Sequence, residues 1–276
     1  MLRSLSSQYS ERGFTLIEVI AVIVVLSILA ALGGKFVVES TSSYQSTQAR
    51  SRLINTGRQA IERVSRQLRI ALPYSARITN VGADTSCLEF MPIAAGGNYL
   101  GYLSNGYYTG YVPDSLNGAN AISTIAVAPH TIDFGSAQFV SIGAATDTEL
   151  YGTNPVSRAT LSSRTNVLLI LSAVKSWRRN SLSQRFYLLD SPQAFCVVAN
   201  QLRFYANQDA SSANVDLTSP FSLMADNVTA STPFVLAAGS ENRNIVVQIN
   251  IAFSYTLTGK TESVPFNHSV MIRNVP

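Results

Sequence analysis

The sequence predicts an α+β fold: one long amino-terminal helix, apolar in its first half and amphipathic in its second, packed on an antiparallel β-sheet head. Three observations carry this expectation. Residues 14–32 form an apolar run broken by a single charge, Glu18, and the run is long enough to span a bilayer as a helix. Beyond it Leu53, Gly57, Ile61, Val64, Leu68 and Leu72 recur at steps of three and four, which draws one stripe along a helix. After Pro73 the hydrophobic period shortens to two, the period of half-buried strands.

Taken in order, the chain divides into a polar leader at 1–13, a transmembrane half-helix at 14–34, an amphipathic half-helix at 35–72 and a β-rich head at 73–276. Arg3 and Arg12 precede the apolar run, and by the positive-inside rule they stay cytoplasmic while the head is periplasmic. Gly33 and Gly34 mark the far membrane edge and are the expected weak point of the helix, since each glycine costs about 1 kcal/mol relative to alanine. Pro73 cannot donate the backbone bond and clashes with the preceding turn, so the helix is expected to end at Leu72. At 1.5 Å per residue, residues 14–72 span roughly 88 Å.

In the head, strands are expected at 87–93, 166–172, 185–190, 195–198 and 202–206, with long surface loops at 96–111, 143–164 and 207–219. The clearest pair comes last. Val247, Ile249, Ile251, Phe253, Tyr255 and Leu257 alternate with polar or small residues, and alternation resumes from Val264 to Ile272 after a turn at 258–261. The loop at 96–111 carries Tyr99, Tyr102, Tyr107, Tyr108 and Tyr111, read as amphipathic rings lying on the sheet, with a stacking surface for sugars or bases as the alternative.

A composition of 46% hydrophobic and 13% charged residues describes an ordered protein. The net charge of +4 falls to +3 without Arg3, Arg12 and Glu11, an excess too small to imply a partner. Its placement is more suggestive: Arg50, Arg52, Arg58, Arg63, Arg66 and Arg69 lie within twenty positions, with Glu62 the only acid among them. Nucleic acid is one reading. A solvated helix face meeting acidic neighbours in an assembly is preferred. Cys87 and Cys196 lie far apart in no metal-ligand spacing, so in an exported chain one disulfide is the economical assignment, with two buried free thiols as the alternative.

No phosphate loop, dinucleotide fingerprint or Gly-x-Ser-x-Gly elbow is present. His130 and His268 are far apart, and neither has a cysteine or carboxylate at metal spacing. His268 shares parity with Val264, Phe266, Val270 and Ile272, which predicts a hydrogen-bonded core histidine. The expectation is a protein without catalytic residues, cofactor or metal, and nucleic acid is not expected as a partner.

Glu18 is the informative residue of the membrane run. A carboxylate there costs a few kcal/mol on insertion, so it points to a functional site with a cationic partner. Arg12, Gly13 and Phe14 join the leader to the run through a residue with no side chain to obstruct a protease. An ordinary signal peptide, cut near Ala30 and Ala31, is the rival reading. Gly13, Phe14, Thr15, Leu16 and Glu18 together resemble the processing site of the type IV prepilin family. That resemblance implies cleavage after Gly13 by a prepilin peptidase, N-methylation of Phe14, and a role for Glu18 in neutralising the amino terminus of a neighbouring subunit. It also implies a type IV pilin-like fold, partnership with major and minor pilins through the helix, and residence in the inner membrane before incorporation into a surface pilus. The chain departs from the usual pattern of major pilins in having no proline within 14–72.

Residues 62–77, 195–205 and 268–276 further resemble MshO-like minor pilins, which belong to the biogenesis set of the mannose-sensitive haemagglutinin (MSHA) pilus, a type IVa system. The expected function is therefore that of a minor pilin incorporated into such a pilus or initiating its assembly. The alternatives are a J-type pseudopilin of type II secretion, a tip adhesin or DNA-uptake minor pilin, and an anchored periplasmic enzyme.

Overall fold

The computed structural model describes residues 13, 15–82, 84–100, 122–129, 137–181, 183–237, 244–257 and 260–272. The chain divides between Ser51 and Arg52 into two compact units. Helix α1, Leu16–Leu68, runs through both, and it is unbroken at Gly33 and Gly34.

The helix ends four residues before the position that Pro73 predicts. From Arg69 the chain tightens into a turn, with the N–H groups of Ile70 and Ala71 donating to the carbonyls of Gln67 and Leu68. Residues 70–72 then pair with the far side of the head. The N–H of Leu72 donates to Met91 O and that of Ile93 to Ile70 O, each at 2.8 Å. Sheet-like pairing thus captures the chain before proline has to stop it.

In the second unit, Gly57, Ala60, Ile61, Val64 and Leu68 of α1 are buried, the stripe that the spacing predicts, while Leu72 enters a separate cluster. Two antiparallel sheets enclose that stripe. The first has the order β1 (Arg77–Thr79), β2 (Thr85–Phe90), β9 (Gln193–Val198), β10 (Gln201–Tyr205) and β11 (Phe221–Ala225). The second is built on the hairpin of β14 (Ile245–Leu257) and β15 (Lys260–Ile272), with β12 (Val228–Thr229) and β13 (Phe234–Ala237) on the other edge of β14. Lys260 and Thr261, expected in the turn, belong to β15. The helix meets the hairpin at Gly57, where an added Cβ would come within 2.4 Å of the Phe266 ring and 3.0 Å of Phe253. Those two rings cross edge to face with centroids 5.4 Å apart, so glycine is required by their approach.

The third sheet was foreseen only in the strands expected at 166–172 and 185–190, which appear at Leu168–Lys175 and Arg185–Leu189. Its order is β3 (Ile93–Asn98), β8 (Arg185–Leu189), β5 (Phe139–Ser141), β6 (Arg158–Arg164), β7 (Leu168–Lys175) and β4 (Ile122–Ala126). Tyr99 bridges to Val127, with Leu100 N–H donating to Ala126 O and Ala128 N–H to Asn98 O at 2.8 and 2.9 Å. That seam joins the first strand to the last and closes a six-stranded barrel. Its interior is filled by Tyr99, Val127, Val140, Trp177, Phe186 and Leu188 among others.

The barrel is an insertion. β2 and β9 pair directly, Cys87 opposite Cys196, and the strands described between them in sequence, β3 to β8, form the barrel. The two cysteines are bonded, with Cα atoms 4.0 Å apart and a sequence separation of 109.

Several boundaries move accordingly. The strand expected at 87–93 breaks at Met91 and Pro92, because Pro92 has no N–H to give to a ladder and instead bridges to Ala71. The loop expected at 96–111 begins inside β3, where Gly97 lets the Phe186 ring approach to 2.9 Å of its Cβ position. Tyr99 is buried in the barrel, whereas Tyr102, Tyr107, Tyr108 and Tyr111 lie outside the described residues. The loop expected at 143–164 contains a 3-10 turn at Asp147–Glu149 and strand β6. The segment at 207–219 is a loop, and it buries Gln208, Ala210 and Val215, the last beside the disulfide. One long amino-terminal helix with antiparallel sheets is the α+β, type IV pilin-like layout.

Candidate processing and assembly site

Local chemistry starts the helix where the sequence motif lies. The N–H of Glu18 donates to Thr15 O at 3.1 Å and to Thr15 Oγ1 at 3.4 Å, and Val19 N–H also reaches Thr15 O. Thr15 is therefore the N-cap, its side chain satisfying one of the amide groups that the first turn leaves unpaired. Glu18 falls at the third helical position, where a carboxylate faces the positive end of the helix dipole. Gly13 is exposed, and a Cβ added there would meet nothing within 4 Å. Phe14 lies outside the described residues. The threonine cap was missed from sequence, although Thr15-Leu-Ile-Glu18 ahead of an apolar run is the signature of a capping box.

Every described residue from 15 to 45 is exposed, with Leu16, Ile17 and Phe36 all above 70%. This part of α1 has a mean hydropathy of 2.8 in its most apolar window, long and apolar enough to cross a membrane, and none of that window is buried within the chain. By length and composition this segment fits a membrane-anchoring helix.

The arginines of the second half-helix also face outward. Arg50, Arg52, Arg58, Arg66 and Arg69 are exposed, while Arg63 is half-buried with its guanidinium 5.2 Å from the Phe204 ring centroid. Among the described residues none of them is in an ion pair. Their placement is that of a solvated face.

The ion pairs of the head serve its architecture. Glu89 is buried and salt-bridged to Arg77 at 2.7 Å; Arg77 also lies 3.6 Å over the Tyr151 ring and donates to Ser212 O. Burial pushes the Glu89 carboxyl up to about 7 against the lowering pull of Arg77. Glu149 is held from the other direction. Burial raises it, but hydrogen bonds from Arg179, the Ala145 N–H and Ser157 outweigh that and keep it below the usual carboxylate range. Arg158 is buried and, among the described residues, in no salt bridge; its charge is met by the carbonyls of Leu150 and Gly152 and by the Phe139 ring at 4.5 Å, with Asp209 acting at longer range.

The histidine expected in the core is exposed. His268 lies opposite Ile249 on β15, but the apolar contact on its face of the strand is made by Val270, Ile272 and the half-buried Phe266. Strand parity gives the face and not the depth of cover. His130 lies outside the described residues, among which no group of three His, Cys, Asp or Glu side chains is placed to hold a metal.

Comparison with known families adds one finding. Residues 9–34 match the family described as the prokaryotic N-terminal methylation motif, which is structural rather than catalytic. No curated protein and no solved structure matches the chain. The matched segment brackets Gly13, the Thr15 cap, Glu18 and the exposed apolar helix, and together they support a type IV pilin-like or pseudopilin protein with a membrane-anchoring helix.

Proposed function

We propose that the chain is made as a prepilin, cut between Gly13 and Phe14 by a prepilin peptidase and N-methylated on Phe14. It is then held in the inner membrane by α1 with its head in the periplasm, and incorporated as a minor subunit into a type IVa, MSHA-like pilus or its initiating tip. The observation that carries this reading is the bare apolar half of α1, uncovered by its own fold and headed by the methylation motif. Glu18 neutralises the amino terminus of an adjacent subunit when the helices come together in a low-dielectric core. The inserted barrel supports a terminal place at low copy number, because a head enlarged in this way would crowd its neighbours if repeated along a fibre.

Intact mass and amino-terminal sequence of the membrane form test the processing step: a mature chain starting at methylated Phe14 is expected, and a start near Ala31 or Leu32 overturns it. Glu18→Gln keeps size and polarity but removes the charge, so processing survives while incorporation into sheared pili falls. Deleting the gene is expected to abolish piliation counted by electron microscopy. Lost secretion with intact pili selects the J-type pseudopilin instead, and abundant pili that fail to adhere or to take up DNA select the tip adhesin or DNA-uptake subunit.

A further inference from the structure

Side chains alternate across the first sheet, so Leu88, Phe195 and Phe204 turn towards α1 while Cys87, Cys196 and Tyr205 occupy the opposite face. On that face both cysteines are fully buried. From outside the sheet, the apolar residues that close over them are Val215 and Leu217, both in the loop between β10 and β11. The disulfide thus owes this cover to a loop.

The loop is fastened unevenly. Its first part is tied down at the backbone: Gln208 N–H donates to Pro192 O, Gly152 N–H to Ala210 O, and Arg77 Nη2 to Ser212 O. Residues 213–219 pair with no strand, and among the described residues their fastenings to the fixed part of the head run through side chains. Asn80 Nδ2 donates to Val215 O at 3.1 Å and Asn80 Oδ1 accepts from Val215 N–H at 2.9 Å, while Asn80 N–H reaches Asn214 Oδ1. The buried Gln208 accepts from Asp216 N–H at 2.8 Å and donates to Ser219 Oγ at 2.9 Å. The closed arrangement also carries a cost. Tyr205 is fully buried in the cluster that holds the cysteines, and its hydroxyl has no hydrogen-bond partner.

We propose that residues 213–219 form a hinged cover on the Cys87–Cys196 bond, latched by Asn80 and Gln208, and that a dithiol reductant reaches the bond only while the cover is lifted. Opening breaks a few side-chain hydrogen bonds and no ladder, and it lets water reach the Tyr205 hydroxyl. Exchange then takes two displacements. A thiolate of the reductant attacks one cysteine sulfur, the S–S bond breaks, and the other cysteine leaves as a thiolate. The second thiol of the reductant displaces the remaining cysteine, so the reductant departs as a disulfide and both cysteines take up the protons that it loses. The cover therefore decides whether β2 and β9 are joined covalently or by their ladder alone. This inference does not depend on how the amino terminus is processed.

The test follows reduction of the full chain in detergent micelles by dithiothreitol, with new thiols trapped by an alkylating agent and counted by mass. Asn80 sits at φ 52°, where glycine fits without strain, so Asn80→Gly removes the latch alone. It is expected to speed reduction about tenfold. Tyr205→Phe, which removes the unpartnered hydroxyl, should slow it about fivefold. Leu68→Ala weakens the helix-backed core without touching the cover and should leave the rate unchanged. Below the unfolding transition the rate should depend little on urea, because lifting a short segment exposes little surface. Three results overturn the proposal: an unchanged rate in Asn80→Gly, equal acceleration by Leu68→Ala, or a urea dependence as steep as that of global unfolding.

Discussion

The two β bodies of the head solve the burial problem differently. The five- and four-stranded sheets share a core with α1, so Val64 and Leu68 of the helix are fully buried only because β2, β9, β10 and β14 close over them. The barrel needs no helix; Tyr99, Trp177, Phe186 and Leu188 cover one another inside a sheet whose first and last strands meet at the Tyr99–Val127 bridge. One body is thus tied to the element that leads into the apolar helix, while the other keeps a core of its own, joined covalently at the Cys87–Cys196 root and packed against residues 70–77 and 207–212 through Ile93, Tyr151 and Gly152. A sheet open at its edges must borrow cover, whereas a closed sheet carries its own.

The root offers the largest test of this difference. Replacing both Cys87 and Cys196 by alanine releases a loop of 109 positions, which on the chain-entropy model costs about 4 to 5 kcal/mol when the whole head unfolds. Urea unfolding with and without the bond measures it, and a loss under 1 kcal/mol would show that the β2–β9 pairing alone holds the root.

Next come paired core truncations. Leu68→Ala and Leu188→Ala each remove a fully buried leucine side chain, at about 2 to 5 kcal/mol. Hydrogen exchange is expected to rise in β1, β2 and β9 to β15 for the first, and in β3 to β8 for the second. Equal acceleration of both bodies by either variant breaks the comparison.

A smaller effect belongs to pH. The Glu89 carboxyl is pushed up to about 7 in the fold from an ordinary 4.5, so the folded state prefers the neutral acid. Its contribution is therefore full below pH 4.5 and is lost as pH rises through 7, on the order of 3 kcal/mol. Stability profiles from pH 4.5 to 8 should flatten in Glu89→Gln, and an unchanged slope assigns the dependence elsewhere.

The smallest effect sharpens the account of the helix-backed sheet. Ala199 and Asn200 join β9 to β10 with φ of 47° and 63°, the type I′ geometry that favours asparagine followed by glycine. Ala199→Asn with Asn200→Gly should stabilise the head by about 0.5 to 1 kcal/mol in the same urea assay.

The same division explains what could be read from the sequence. The apolar run, the stripe from Gly57 to Leu68 and the β14–β15 hairpin were legible because each buries one face against a partner and so writes its period into the chain. The barrel was largely hidden. β6 reads Arg-Ala-Thr-Leu-Ser-Ser-Arg, where a bulge between Leu161 and Ser163 interrupts the alternation, and Arg158 is buried by stacking and carbonyls. β3 is rich in glycine and alanine because Phe186 presses on it. Closure itself leaves no local mark, since it depends on Tyr99 meeting Val127. At the amino terminus the motif residues were legible as a set, while the capping role of Thr15 emerged only from the geometry of the first turn.

The covalent root also decides where a pulling force would travel. Tension applied between α1 and the terminal hairpin enters through β1 and β2, crosses from Cys87 to Cys196, and leaves through β9 and β10. The barrel is bypassed. Roughly 370 Å of extended contour, at about 3.4 Å per residue, is locked out of the load path however far the sheets are strained. Whatever the barrel holds stays folded under a load that the backbone alone would have passed through it.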